Sequence, residues 1–253
     1  MTPPPRILTI AGSDSSGGAG IQADIKTITM LGGYAMSAIT AITAQNTLGV
    51  SRVEVLSPEL VKAQIEACGE DIGVNAVKIG MLGSAGNAHA VADLLEGVNV
   101  PVVFDPVMVA TSGAALADAD TIAAFERLMA LATLTTPNIV ELAALGGDVG
   151  MMARGVSYLA KGGDAEGDEV EDRLVIPGKD VMIWRAPRID TRHTHGTGCT
   201  LASAIATYLG MGKTLVEAVT AARVFVRAAI EAAPGFGLGN GPLGHQAVSQ
   251  SSP

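Results

Sequence analysis

Residues 195–209 read HGTGCTLASAIATYL, a glycine-containing turn followed directly by an apolar, alanine-rich segment with helical spacing. The pattern predicts a helix that begins just after the turn. Gly196 and Gly198 allow the backbone to approach a ligand closely, and the N–H groups of a first helical turn attract anions. Cys199 stands beside those N–H groups and offers a possible acid or base. This combination suits phosphoryl transfer.

A second glycine-rich turn lies near the start of the chain. Residues 6–11 have a short strand pattern, residues 12–20 read GSDSSGGAG, and a helical pattern then continues to Leu31. A glycine-rich turn before a helix is often only a tight connection, but two in one chain favour ligand binding. The turn does not end in the Gly-Lys-Ser/Thr of a P-loop, and no acidic residue follows it in the pattern of a dinucleotide-binding fold. Asp24, near the carboxyl end of the strand, either contacts a ligand or compensates the helix dipole.

Composition restricts the class of protein. The 253 residues carry a net charge of −9, with 48% hydrophobic and 16% charged residues, and no apolar run reaches the roughly eighteen residues that cross a bilayer. We expect a cytoplasmic protein that binds neither nucleic acid nor membrane, because the charge is acidic and no signal-peptide pattern is present. Cys68 and Cys199 lack the paired spacing of a disulfide framework or a zinc site.

Strand and helix patterns alternate along the chain. Apolar runs of strand length occur at 7–11, 36–42, 53–56, 76–79, 100–104 and 156–161. Helical patterns between most of them predict an α/β fold, a three-layer α/β/α sandwich with a mainly parallel central sheet, in one domain over 1–253. Residues 177–180, PGKD, predict the turn of an antiparallel edge hairpin. We expect 1–5 and 248–253 to be frayed.

Seven motifs extend over most of the chain. They are TIAGSDSSGGAGIQADIKT at 9–27, AITAQNT at 41–47, KIGML at 78–82, DPVMVATSG at 105–113, TPNIVE at 136–141, KGG at 161–163 and THGTGCTLASAIA at 194–206. In this order they resemble the hydroxymethylpyrimidine and phosphomethylpyrimidine kinases of thiamine biosynthesis, a ribokinase-like family. The resemblance implies ATP-dependent phosphorylation of 4-amino-5-hydroxymethyl-2-methylpyrimidine to its monophosphate and then its diphosphate, with Mg²⁺, in a homodimer.

The resemblance also implies which residues bind the substrate: Gly12, Asp24, Gln45, Met81 and Val107. The Gln45 amide supplies the donor and acceptor that the edge of an aminopyrimidine requires. Met81 and Val107 supply apolar surface for its faces. Both would look the same as core residues, and Gln45 could simply end a strand.

For the nucleotide, the resemblance implies Lys161, Asn138 and Glu141, with Asp105 and Glu141 holding Mg²⁺ through water. Asn138 and Glu141 stand three residues apart on a first helical turn, and their oxygens suit hydrated Mg²⁺. An ordinary N-cap at Asn138, with Glu141 as its capping-box partner, is the other explanation. Lys161 either reaches phosphate oxygens or is a solvated lysine at the end of a strand.

The catalytic positions implied by the resemblance are Cys199, Gly196, Thr197 and Gly198. Most ribokinase-like enzymes have an aspartate at the position of Cys199, whereas this family has cysteine. With an ordinary pKa of about 8.5, a cysteine acts as a base only if a helix terminus or a cation lowers that pKa, and otherwise its role is positional. A role in proton transfer predicts that Cys199→Ser retains more turnover than Cys199→Ala.

Two segments of the chain depart from the family pattern. Residues 145–156 are shorter than in the family, which has an additional helix there, and KGGD at 161–164 replaces KGGH. His193 and His195 belong to no pattern of metal ligands, and we expect a histidine here to hold the backbone by a hydrogen bond. Two other functions remain: a pyridoxal or pyridoxine kinase, and a non-catalytic pyrimidine-binding sensor.

Overall fold

The structure, a computed structural model, describes residues 3–110 and 113–248. Its strands are β1 (Arg6–Asp14), β2 (Tyr34–Asn46), β3 (Gly49–Val55), β4 (Ala76–Ile79), β5 (Val102–Phe104), β6 (Leu134–Thr135), β7 (Tyr158–Ala160), β8 (Glu169–Val175) and β9 (Met182–Pro187). In the described part of the chain they form a single sheet, in the order β3-β2-β1-β4-β5-β6-β7-β8-β9. Thr111 and Ser112 of the DPVMVATSG motif lie outside the described residues.

The middle of the sheet is parallel, from β2 through β1, β4, β5 and β6 to β7. β3 pairs antiparallel with β2 at one edge, and the antiparallel hairpin of β8 and β9 extends the other. Its turn lies at Pro177 and Gly178, as PGKD predicts. The sequence did not predict β6, because two residues are too few to show a strand pattern. The strand is defined by its pairing with β5 and β7.

Eight α-helices flank the sheet among the described residues. They are α1 (Gly20–Met30), α2 (Pro58–Asp71), α3 (Ala85–Leu95), α4 (Ala119–Leu131), α5 (Ile139–Ala144), α6 (Gly147–Ala153), α7 (Thr197–Gly210) and α8 (Leu215–Glu231), and a 3-10 turn follows at His245–Ala247. One apolar core joins the sheet to α2, α3 and α4, and a second joins its other face to α1, α7 and α8. The three-layer α/β/α sandwich is confirmed. None of the described helices combines the length and apolar character needed to cross a membrane.

The structure adds detail at two local segments, while the fraying of 1–5 and 248–253 stays a prediction. α6 occupies part of 145–156, so this segment keeps a short helix in spite of its length. The chain is held at Pro5, whose carbonyl accepts the Tyr34 N–H at 2.8 Å, and at Val248, which packs against a core. Residues 1–2 and 249–253 lie outside the described part.

The parallel strands bring polar residues to one edge of the sheet. Asp14 ends β1, Asp105 follows β5 and Lys161 follows β7. Because parallel strands end at the same edge, residues distant in sequence meet there, and open α/β sheets bind ligands at this edge.

Candidate active site

A cavity of about 750 Å³ lies at the carboxyl edge of the sheet. Its walls include all the predicted site residues except Asp24, namely Gly12, Gln45, Met81, Asp105, Val107, Asn138, Glu141, Lys161, Gly196, Thr197, Gly198 and Cys199. The polar residues of several strands and helices therefore face one volume.

Asp24 lies in a fully buried polar cluster and is absent from the cavity wall. Its carboxylate accepts hydrogen bonds from Lys78 Nζ at 2.8 and 2.9 Å, from Thr9 Oγ1 at 2.5 Å and from Ser203 Oγ at 2.7 Å. Burial opposes the charge of Lys78, but Asp24 outweighs burial and the pKa of Lys78 is raised. Asp24 is therefore the partner of a buried cation, a role that neither the substrate-contact nor the helix-dipole interpretation included, and the substrate contact stays a prediction.

The two glycine-rich turns meet in one wall of the cavity. Gly196 has a φ of 90°, and a Cβ there would lie 1.9 Å from the carbonyl oxygen of Gly18, so only glycine fits. The first hydrogen bond within α7 runs from the Thr200 N–H to the Gly196 carbonyl. The preceding N–H groups of Gly198 and Cys199 therefore point outward from the helix. With no acidic residue in the first turn of α7, this end of the helix attracts an anion.

A buried histidine and aspartate fasten these two turns together. His195 Nε2 lies within hydrogen-bond distance, 2.8 Å, of Asp14 Oδ2. The Asp14 carboxylate also accepts the N–H groups of Ser16, Gly18 and Ala19. Burial opposes the charge of Asp14, but the hydrogen bonds from His195 and Ser16 lower its pKa. Asp14 was not among the predicted site residues, although its place at the end of the first strand was a usable signal.

Lys161 carries its charge at the floor of the cavity. Its Nζ donates to Asp105 Oδ1 at 2.7 Å and lies 4.0 Å from Glu141 Oε2. Burial opposes the charged form, but Asp105 and Glu141 outweigh burial and raise the pKa of Lys161. A Cβ on Gly198 would lie 3.2 Å from this Nζ, so the start of α7 and the lysine border the same space.

Asn138 and Glu141 form a capping box at the start of α5. The Glu141 N–H donates to Asn138 Oδ1 at 2.8 Å, and the Asn138 N–H donates to Glu141 Oε2 at 2.8 Å. The capping interpretation is confirmed, and both residues also line the cavity. Burial raises the pKa of Glu141 to about 7, with Lys161 opposing the shift and Asp105 adding to it.

The carboxylates of Asp105 and Glu141 fit a hydrated magnesium ion. The described residues contain no group of three or more His, Cys, Asp or Glu able to enclose a metal ion. Asp105 Oδ1 accepts from Thr136 Oγ1 and Lys161 Nζ, while Oδ2 lies on the Gly198 side, 3.5 Å from where a Cβ would stand. One or two carboxylates beside a phosphate site are typical of Mg²⁺, which keeps several of its waters.

Cys199 does not have the lowered pKa that a base would need. Burial raises the pKa of its thiol to about 11, against the opposing charge of Lys78. The backbone of Gly20, at the start of α1, also hydrogen-bonds to Cys199 and lowers the pKa by a smaller amount. The thiol is therefore protonated at neutral pH, because burial outweighs both the buried cation and the hydrogen bond from the Gly20 backbone.

The phosphomethylpyrimidine kinase family model matches residues 14–244. The chain belongs to this family. A hydroxymethylpyrimidine/phosphomethylpyrimidine kinase of Rhizobium meliloti (strain 1021) is 49% identical over 255 residues, 94% of this chain and 96% of the relative. As a member of the phosphomethylpyrimidine kinase family, the chain is a phosphotransferase of thiamine biosynthesis.

Solved structures of two kinds of kinase are similar to this chain. A phosphomethylpyrimidine kinase from Clostridium difficile 630 superimposes with a TM-score of 0.76 at 40% identity, over 89% of this chain and 99% of that one. A Staphylococcus aureus pyridoxal kinase in complex with AMP-PCP and pyridoxal gives a TM-score of 0.87 at 32% identity, over 98% and 96%. The ribokinase-like fold is confirmed.

Proposed function

We propose that this chain transfers the γ-phosphoryl group of ATP to the hydroxymethyl oxygen of 4-amino-5-hydroxymethyl-2-methylpyrimidine, and a second phosphoryl group to the monophosphate. The observation that carries the proposal is one continuous cavity. At one end of this cavity lie the side-chain amide of Gln45 and the apolar side chains of Met81 and Val107. At the other end lies the ammonium group of Lys161. Such a cavity accepts an aminopyrimidine and a phosphate chain in contact with each other.

At the pyrimidine end, Gln45 presents its side-chain amide from the end of β2. Thr43 Oγ1 donates to Gln45 Oε1 at 3.1 Å, and Gln45 Nε2 lies 3.4 Å from His195 Nε2. These contacts orient the amide toward the edge of a planar ring. A Cβ at Gly12 would lie 3.0 Å from Met81 Sδ, so glycine leaves room for Met81 to cover one ring face.

At the phosphate end, the chain supplies alignment and charge. The Lys161 ammonium and the outward N–H groups of Gly198 and Cys199 border the space in which the transferred phosphoryl group gathers negative charge. Asp105 and Glu141 would hold Mg²⁺ through water. When bound, this ion neutralises charge on the phosphate oxygens. Because phosphoryl transfer depends mainly on positioning and charge stabilisation, a protonated Cys199 is compatible with catalysis.

Substitution of Cys199 tests whether it moves a proton. Since its thiol stays protonated well above neutral pH, we expect Cys199→Ser and Cys199→Ala to lower kcat to a similar extent, by less than about tenfold, which is below the roughly 10² to 10⁴-fold that general acid–base catalysis contributes. The measurement is kcat from about pH 6 to about pH 9 for both variants and the unmodified chain. A much larger loss in the alanine variant would restore the proton-transfer role.

The raised pKa of Glu141 predicts a pH dependence of magnesium use. Below a pH of about 7 the folded protein keeps Glu141 protonated, and a neutral carboxyl group is a poor metal ligand. We therefore expect the apparent KM for Mg²⁺ to fall as the pH rises from about 6 to about 8. In Glu141→Gln this change should disappear, because glutamine does not titrate. A variant that kept the full pH dependence would remove Glu141 from the magnesium site.

We also propose a homodimer that acts in the cytoplasm, where ATP and Mg²⁺ are available. The outer strands support association, because Ile42, Val53 and Val55 on β2 and β3 are exposed and an exposed apolar edge favours contact with another chain. Light scattering coupled to size-exclusion chromatography measures the mass. A mass of one chain at micromolar concentration would contradict the dimer.

The decisive experiment is turnover of purified protein with ATP, Mg²⁺ and the hydroxymethylpyrimidine, with both phosphorylated products followed by mass. Diphosphate formation is the expected result. The second candidate is a pyridoxal kinase, favoured by the structural similarity to the Staphylococcus aureus enzyme, and a parallel reaction with pyridoxal tests it. Product from pyridoxal alone would reverse the choice of substrate. Binding of the pyrimidine without any product would favour the sensor.

A further inference from the structure

The loop after Lys161 is attached to the sheet by a buried carboxylate that the family motifs do not include. Asp172, on β8, is 6% exposed. Its Oδ1 accepts the Gly162 N–H at 2.9 Å, and its Oδ2 accepts the Arg223 Nε–H of α8 at 2.6 Å. One carboxylate therefore connects the KGG loop to a helix 51 residues farther along the chain than Asp172.

The backbone around Lys161 is held on both sides. The Lys161 N–H donates to the carbonyl of Pro137 at 3.0 Å. On the next residue, a Cβ at Gly162 would lie 2.0 Å from the carbonyl oxygen of Glu171, so this loop lies directly against β8. The position of the Lys161 backbone is thus determined by the TPN segment and by Asp172.

Arg223 fixes the other end of the connection. Its side chain is 16% exposed, lines the cavity, and has its guanidinium carbon 5.9 Å from the centre of the Trp184 ring. The planar guanidinium group is therefore restrained by a carboxylate and an aromatic face. An ion pair at this depth gains little net stability, because desolvation offsets the attraction between the charges. The ion pair between Arg223 and Asp172 is therefore better explained by its effect on the geometry of the KGG loop than by a gain in stability.

We infer that Asp172 and Arg223 form a positioning pair that sets the place of the Lys161 ammonium through Gly162. This inference rests on the proposed function, since it takes Lys161 to meet the phosphate chain of ATP. Displacement of such a group by about 1 Å is enough to reduce catalysis by about 10²-fold. The pair acts on the nucleotide end of the cavity and leaves the pyrimidine end unaffected.

The chain contains a matched control on the same strand. Glu171 is adjacent to Asp172 in sequence, points to the other face of the sheet, and pairs with Arg185 Nε at 2.8 Å. Both of these side chains are exposed, at 39% for Glu171 and 58% for Arg185. Glu171→Gln therefore reproduces the change in net charge while leaving the hydrogen bond to the KGG loop and the backbone contact of that loop in place.

The experiment compares Asp172→Asn, Arg223→Met and their double variant with Glu171→Gln. We expect kcat/KM for ATP to fall about tenfold to a hundredfold in each single variant, with a change of less than about twofold in KM for the pyrimidine. The double variant should lose no more than the worse single variant, because both act on one connection. Arg223→Lys should recover part of the loss, and Glu171→Gln should match the unmodified chain.

Calorimetric binding of AMP-PCP to the same variants gives a readout independent of turnover. Weaker binding in Asp172→Asn, with unchanged binding in Glu171→Gln and an unchanged pyrimidine affinity, supports the positioning pair even if the substrate is not the one proposed. Equal loss of affinity for AMP-PCP and pyrimidine, in step with a lower melting temperature, would overturn it in favour of general stabilisation. Unaltered AMP-PCP binding and kcat/KM would overturn it as well. Failure of the proposed function is separate, since it appears as absent turnover in the unmodified chain.

Discussion

Lys161→Met is expected to lower kcat by about 10² to 10³-fold, as large as the loss of one preorganised oxyanion-hole donor in acyl transfer. Methionine keeps most of the length and apolar volume of the lysine stem, so packing is disturbed little. The loss arises because Asp105 and Glu141 would then face the phosphate chain without the ammonium that lies 2.7 Å from Asp105 and 4.0 Å from Glu141. Steady-state kinetics with varied ATP and pyrimidine measure the effect.

Lys213→Met is the control for the charge change. Lys213 stands between α7 and α8, with its Nζ 5.8 Å from the centre of the Tyr208 ring, and it does not line the cavity. This variant should keep the kcat of the unmodified chain. If Lys161→Met instead raised only the KM for ATP, the lysine would bind the ground state and the transition state equally, and its proposed part in charge stabilisation would be wrong.

Gly196→Ala is expected to have the largest effect on stability, a loss of more than about 4 kcal/mol, which puts it among the exceptional single substitutions. Two causes add. The φ of 90° at Gly196 disfavours any residue with a Cβ, and that Cβ would lie 1.9 Å from the backbone oxygen of Gly18. A backbone atom cannot rotate away, so the two turns must separate. Urea unfolding followed by circular dichroism measures the loss, and catalysis should fall with it.

Gly212→Ala separates the two causes. Gly212 has a similar φ of 84°, but a Cβ there would meet nothing within 4 Å. Its loss should be limited to the strain of a left-handed residue, about 1 to 2 kcal/mol. Equal losses at the two positions would mean that the contact between the turns contributes nothing.

Much of the fold and site could be predicted from the sequence because the deciding signals are local. Apolar strands separated by helical patterns predicted a parallel sheet with helices on both faces, and PGKD predicted the edge hairpin. The motifs also identified residues such as Gln45 and Lys161, which line one cavity in the structure. They meet there because the carboxyl ends of parallel strands lie at the same edge of the sheet. The spacing of Asn138 and Glu141 left a capping box open as one of two explanations, and the structure contains it.

Tertiary structure decided what depends on distant partners. Lys78 lies 54 residues from Asp24, and their full burial makes the aspartate an internal counter-ion that no local pattern reveals. At Cys199 the sequence predicts a helix terminus, which lowers a thiol pKa, but in the folded chain burial, with Asp24 and Asp105 adding to it, raises that pKa instead. The sequence by itself determined the layers, the two glycine turns and the family. Only the folded chain decided which charges are paired and which groups keep their protons, because both depend on burial and on neighbours far away in sequence.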